Sequence, residues 1–276
     1  MGARLLRRRE VLAAAVAAGL SRLPGIARAG DDVGNSLLDS VSSGRRFLVR
    51  LFDASLDLLP EYAGAGDYWL YHDNYLAAKL LESSDGDLAS RIRAAIRRYG
   101  VSGSGKIEIV FAEATTPLPF RQPELVTVAT TQGKRIRTER LTSRLIEDWK
   151  SYTDLLLLAA LATADANRAE AERYFELAVK TWDGRGFEDA ATRHHALYST
   201  YKLALALLAA NRLGVDLPGK KDMLRRLFEQ QHRRGGWRTD YDRSGRPCGK
   251  ANVETTCLVM AALGSEANRS AQAGPT

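Results

Sequence analysis

The acidic and aromatic residues of this 276-residue chain gather at particular points. Asp73, Asp154, Asp240 and Glu254 each stand where a polar, loop-like stretch gives way to, or borders, an apolar one. All four tryptophans, Trp69, Trp149, Trp182 and Trp237, lie in or beside the same stretches, with Tyr152, Tyr201, Tyr241, Asn74 and Asn252. Two carboxyl groups facing each other across a concave site can divide the work of acid and of base or nucleophile, the chemistry of glycoside hydrolysis. Aromatic rings can stack on the C–H faces of a sugar, while Asp, Asn and Tyr bond its hydroxyls. The candidate catalytic residues are therefore Asp73, Asp154, Asp240 and Glu254. The candidate substrate-binding residues are Trp69, Asn74, Trp149, Tyr152, Trp182, Tyr201, Trp237, Tyr241 and Asn252.

Each of these also has a purely structural reading. Asp73 and Asn252 occupy helix N-cap positions, and Glu254 falls in a first helical turn, where the macrodipole favours negative charge with no catalysis implied. The same field casts Asp73 and Glu254 as bases, nucleophiles or ligands. A general acid needs an apolar setting. Asp240, between Trp237 and Tyr241, fits that role, with Arg238 opposing it. Asp154 opens a wholly apolar run and reads either as a buried acid or as a satisfied structural carboxylate.

Three other patterns fall short of their chemistry. Gly100 to Lys106 (GVSGSGK) has phosphate-loop spacing, but Ile107 replaces the hydroxyl residue and a strand-like run follows where a helix is needed. Asp240-x-Asp242-x-Ser244-Gly245 opens like a calcium loop, yet its twelfth position is Ala251 instead of Glu, which leaves at most a weaker cation site. His194 and His195 are adjacent and diverge on a helix, whereas ligation of one metal wants a spacing of three or four. No metal and no cofactor are expected.

The elements that must position these residues are helical, and of two kinds. One kind is amphipathic, as in Leu37, Val41, Leu48 and Phe52, or Ala171, Tyr174, Phe175 and Ala178, with charged residues between. The other is apolar nearly all round: Tyr75–Leu81, Leu155–Ala162, Leu203–Ala210 and Cys257–Leu263. Such helices have to be surrounded by protein. The kinds alternate along the chain, pairing 34–59 with 74–83, 87–99 with 143–164, 167–182 with 196–213, and 219–232 with 252–264. Antiparallel outer–inner hairpins of this sort predict an all-α fold, an α/α toroid of about four hairpins over residues 30–264, whose ring is either closed or incomplete. Residues 106–139 alternate like strands about a turn at Thr131-Gln132-Gly133-Lys134 and predict a small β-hairpin insertion. Residues 265–276 read as a disordered tail. In such an arrangement the loaded outer-to-inner connections share one rim, which brings the candidate residues together.

Gln231-His232-Arg233-Arg234-Gly235-Gly236-Trp237 resembles the Q-x-x-x-G-x-W ending of the QW repeat of squalene and terpenoid cyclases. The run GGWRTDYDRSGRPCGKANVETTCLVMAAL and the stretch Trp69–Asn74 look like loop-plus-inner-helix units of six-hairpin glycosidase-like proteins. The resemblance implies a toroid, covers four hairpins where the family usually has six, and rests on a single QW copy. The D-x-D-D motif of terpene protonation is absent, as is the zinc set of protein prenyltransferases.

The first 29 residues read as an export signal. Basic Met1–Arg9, mildly apolar Val11–Leu20 and the small-x-small site Ala27-Arg28-Ala29 follow in order, and Arg8-Arg9-Glu10-Val11-Leu12 resembles the twin-arginine consensus. The implied partner is the twin-arginine translocase, and the implied location is periplasmic or extracellular. The whole chain carries +7 from 40 basic and 33 acidic residues. Six arginines and one glutamate of the signal account for +5, leaving about +2, so the basic balance is no argument for nucleic acid. Cys248 and Cys257 read equally as a disulfide or as two separate thiols. The functional expectation is an exported glycoside hydrolase or polysaccharide lyase acting on a carbohydrate or another small-molecule or polymer ligand. A non-catalytic glycan- or cell-wall-binding protein and a terpenoid-cyclase-like isoprenoid binder are the alternatives. The oligomeric state is left open.

Overall fold

Helices that are apolar on every side do lie inside. The computed structural model of the chain describes residues 31–113 and 118–272, and the signal-like segment 1–29 lies outside them. Amphipathic α1 (Asp31–Leu51) is followed by a short strand β1 (Asp67–Trp69), a π-helical turn (Leu70–Tyr75) and α2 (Leu76–Leu81). Next come α3 (Gly86–Arg98), a 3-10 turn (Glu108–Phe111) and the strands β2 (Arg121–Thr131) and β3 (Lys134–Leu145). The remainder is α4 (Thr153–Thr163), α5 (Arg168–Val179), α6 (Ala190–His195), β4 (Tyr198–Ser199), α7 (Thr200–Leu213), α8 (Lys220–Gln230), β5 (Arg238–Tyr241), β6 (Pro247–Ala251) and α9 (Val253–Gln272). The apolar helices α2, α9, α7 and α4 lie side by side in that order, and α3, α1, α8 and α5 pack against them. Leu157, Leu203, Leu207 and Leu263 are fully buried, each contributing roughly 1.5–3 kcal/mol relative to exposure.

The chain is not all-α, and this overturns the all-helical toroid reading. Of the described residues 52% are helical and 20% are in strands, and these strands form two three-stranded sheets. In one, β2 and β3 form an antiparallel hairpin and β1 lies parallel to β3, with Trp69 beside Arg137. In the other, β4, β5 and β6 are antiparallel, with Asp240 opposite Ser199 on one side and Cys248 on the other. Four of these strands are two to five residues long, too short for a period of two to register against the helical pattern around them.

The hairpin turns at the expected place, with Gln132 at φ 50° and Gly133 at φ 74°, the two left-handed positions that a twisted two-residue turn requires. Its extent differs from the expected 106–139. Lys106–Glu113 is not a strand: Ile107 and Ile109 are buried about a tight turn, and so short a run cannot separate a period of two from one of three. Strand pairing instead spans Arg121 to Leu145. At the far end α9 runs on to Gln272, taking in most of the stretch expected to be a disordered tail.

Candidate functional site

The N-terminal turns of α4, α7 and α9 open on one cavity, closed by the π-helical turn and by β3. Its volume is about 170 Å³, close to the ~150 Å³ that accommodates one benzene-sized ring. Leu155, Leu158, Leu205, Leu258, Ile107 and Ile146 form its apolar surface. The polar groups come from six separate segments: His72, Lys106, Glu139, Tyr152 with Asp154, Tyr201 with Lys202, and Glu254.

Two of the carboxylates at this site are neutralised. Glu139 on β3 faces His72 (Nε2 to Oε2 3.1 Å) and Lys106 (Nζ to Oε2 3.5 Å). The wider π-helical winding at Leu70–Tyr75 carries His72 to this position, at a kind of local distortion that recurs at functional sites. Behind the wall, Asp189 forms a buried ion pair with Lys202. Asp189 also caps α6, accepting from Thr192 N (3.0 Å), and accepts from Thr153 N (2.9 Å) at the start of α4. Burial alone would raise its pKa, but the charge and hydrogen bond of Lys202 and the two amides outweigh that and hold it below the ordinary carboxylate value. One carboxylate thus ties together the starts of α4, α6 and α7, and gives an otherwise apolar helix its lysine.

Asp154 and Glu254 have no ion-pair partner among the described residues. They stand in the first turns of α4 and α9, the two helices that flank α7. From α7, Tyr201 donates its hydroxyl to Asp154 Oδ2 at 2.8 Å. Tyr152 has its pKa raised by burial first, then by the charges of Asp148, Asp189 and Asp154 and a bond to Asp148. Its phenol is therefore a hydrogen-bond donor across the working range. Two carboxylates without counter-ions, two phenols and an apolar floor form a site that can move protons on a small, hydroxylated ligand.

The other expected site residues lie elsewhere. Asp73 is buried within the π-helical turn and does not line the cavity, and Asp240 is a ladder residue of β5. Asn74 is consumed by the backbone, accepting from Leu59 N (2.7 Å) and donating to Leu59 O (3.1 Å) and Trp69 O (2.8 Å). Asn252 caps α9 through Thr255 N (2.9 Å). Trp69 lies under Arg137, and Trp149 is buried between Phe120 and Tyr174. Trp182 packs on Phe187 and against Gly219. Trp237 is fully buried and donates from Nε1 to Leu227 O at 2.8 Å. Tyr241 is buried against Tyr198 and bonds Arg185 O (3.0 Å). None of these rings lines the cavity: Trp69, Trp149, Trp237 and Tyr241 are buried in the core, and Trp182 is partly buried against it. Asp242, in the loop that opens like a calcium site, spends its oxygens on Ser244 and Arg246. Cys248 and Cys257 are free thiols.

Comparison with known proteins is blank: no family model matches the chain, and no curated protein or solved structure is significantly similar to it. The likeness to cyclases and six-hairpin glycosidases therefore rests on the QW-type segment, the run that follows it and the stretch Trp69–Asn74 alone. Within the molecule that segment has a clear structural task. Gln231 Nε2 donates to Ser40 O and Gly235 O, both at 2.9 Å, fastening α1 to the loop that ends in Trp237.

His72, Lys106, Glu139 and Lys202 were not among the candidates drawn from the sequence. For Lys202 a signal existed, a lone charge inside Tyr201–Ala210. For Glu139 and Lys106 none did, since their meeting depends on a hairpin folding back over the helices.

Proposed function

We propose that this protein is an exported carbohydrate-active enzyme, a glycoside hydrolase, with Asp154 and Glu254 as its working carboxyl pair. The observation that carries the reading is their shared position: two carboxylates without counter-ions, on the helices either side of Tyr201, at one ring-sized cavity. One would protonate the departing glycosidic oxygen while the other acts as base or nucleophile. Tyr201 orients Asp154, and the leucine floor keeps bulk water from the reacting bond. The density of polar groups around so small a volume favours a hydroxylated ligand over an isoprenoid. Export by the twin-arginine translocase to the periplasm or beyond belongs to the same proposal and rests on Arg8-Arg9 and the segment after them.

A polysaccharide lyase is the second reading, favoured by one contact. Tyr201 donates to Asp154, an arrangement in which the phenol could lose its proton to the carboxylate and abstract one from a sugar carbon. A screen of neutral and uronate polysaccharides separates the outcomes. Hydrolysis gives saturated new reducing ends, and elimination gives unsaturated, ultraviolet-absorbing ones. Binding without either product would make the protein a glycan-binding module, and no binding to any member of the screen would remove the carbohydrate reading.

A further inference from the structure

A second groove opens beside the cavity, beyond Glu139. β1 pairs with β3 only as far as Arg137, so from Thr138 onward that edge of β3 meets the glycine-rich segment 100–104 instead of a strand. The two enclose about 360 Å³ lined by Ser102, Ser104, Thr138, Glu139, Arg140 and Leu141. Glu139 is on the wall of both compartments, and Lys106, two residues past Ser104, lines the first.

The segment is anchored on both sides. Tyr71, the neighbour of His72, donates its hydroxyl to Val101 O at 2.7 Å, and Lys106 N donates to Ser104 Oγ at 3.3 Å. A Cβ on Gly103 would stand 1.5 Å from Glu108 Oε1, so the loop lies flat against that carboxylate only because position 103 has no side chain. Polar capacity is left over in the groove. The Thr138 hydroxyl is buried without a hydrogen-bond partner, and Arg140 forms no ion pair among the described residues, although Glu124 stands opposite it across the ladder.

From this juxtaposition we infer that the groove is a second sugar-binding compartment, and that the substrate is an oligosaccharide of at least two rings lying across Glu139. The inference rests on the carbohydrate reading of the cavity. Each sugar hydroxyl both donates and accepts, so its wall must mix donors with acceptors. Arg140 only donates, Glu139 only accepts when ionised, and Ser102, Ser104 and Thr138 do both. A free anion is a poorer fit, since Glu139 and Glu108 both border the loop. Leu141 offers the apolar contact that a ring's C–H face needs.

Calorimetric titration with ladders of one to six units from cellulose, chitin and polygalacturonate tests this on the parent, Ser102→Trp and Arg140→Ala. Ser102 is exposed at the rim, so its replacement by Trp fills the groove from outside, and Arg140→Ala serves should that variant not fold. The expected result is an affinity gain of at least about tenfold between one unit and two or three in one ladder. Both substitutions should erase the gain while a single unit binds as before. A flat ladder, or a gain that survives both substitutions, overturns the second compartment and leaves the cavity reading standing. No binding by any oligosaccharide overturns both.

Discussion

Lys202 shows most directly how single residues set this site. It lies in α7 among Leu203, Ala204 and Leu205, buried, and its ammonium meets an equally buried Asp189. Removing one partner leaves the other charge without compensation in a poorly solvated place. Lys202→Met should therefore cost roughly 3–5 kcal/mol in urea unfolding, and a loss under about 1 kcal/mol would mean that the pair is solvated. The pH dependence has a definite sign. Asp189 titrates lower in the folded chain than in the unfolded one, so its contribution is complete above the unfolded value near pH 4 and is lost as pH falls through the folded value. The parent's stability advantage over Lys202→Met should accordingly be smallest in acid and go on growing as pH rises past about 4, because burial without Lys202 raises the Asp189 carboxyl. Trp237 makes the opposite point about reading residues by type. An indole with no exposed surface cannot stack on a sugar, so Trp237→Ala should act through stability, by about 3–5 kcal/mol, with ligand affinity at the remaining folded fraction unchanged.

Among elements, glycines at the turns decide what can dock. Gly235 has φ +95°, and a Cβ there would stand 2.0 Å from Ser43 O of α1, whereas Gly133 has φ +74° with nothing within 4 Å. Gly133→Ala should cost only the backbone term, about 1–2 kcal/mol. Gly235→Ala should cost clearly more, because α1 must also move away; equal losses in thermal unfolding would show that α1 is not held by this loop. The same comparison of scales explains what could be read from the sequence. Helices long enough to show a 3.6-residue period, such as the one with Leu155–Ala162, were legible, as was the Gln132-Gly133 turn. Glu254 was legible as a first-turn carboxylate, Asp154 as the acidic residue that opens an apolar run, and Tyr152 and Tyr201 as aromatic residues of the loaded connections. Strands as short as Tyr198–Ser199 were not, and with them went the place of Asp240 and Tyr241 in the second sheet. Nor was the cluster of His72, Lys106 and Glu139, whose members are joined by a π-helical winding and a long hairpin that no local period records.

For the molecule as a whole, a mixed helix-and-sheet body replaces the expected helical ring, yet its apolar helices still present their N-terminal turns to one cavity. The thiols are separate, so titration after unfolding should find two free thiols in unreduced protein, and none would require a bridge between Cys248 and Cys257. Export by the proposed route should fail when Arg8 and Arg9 are both replaced by Lys, with the folded protein retained in the cytoplasm; unchanged export would remove that route. The central claim is that Asp154 and Glu254 do chemistry on a glycan and do not merely cap helices. Its most direct test is turnover, on the most responsive polysaccharide of the screen, by the parent, Asp154→Asn and Glu254→Gln, with melting temperatures measured beside it. Catalytic carboxyls left without counter-ions should give variants whose turnover falls by about 10²–10⁴ at an unchanged or raised melting temperature. Variants that lose stability by the roughly 0.5–2 kcal/mol of a helix-terminal residue and turn over as the parent does would contradict it.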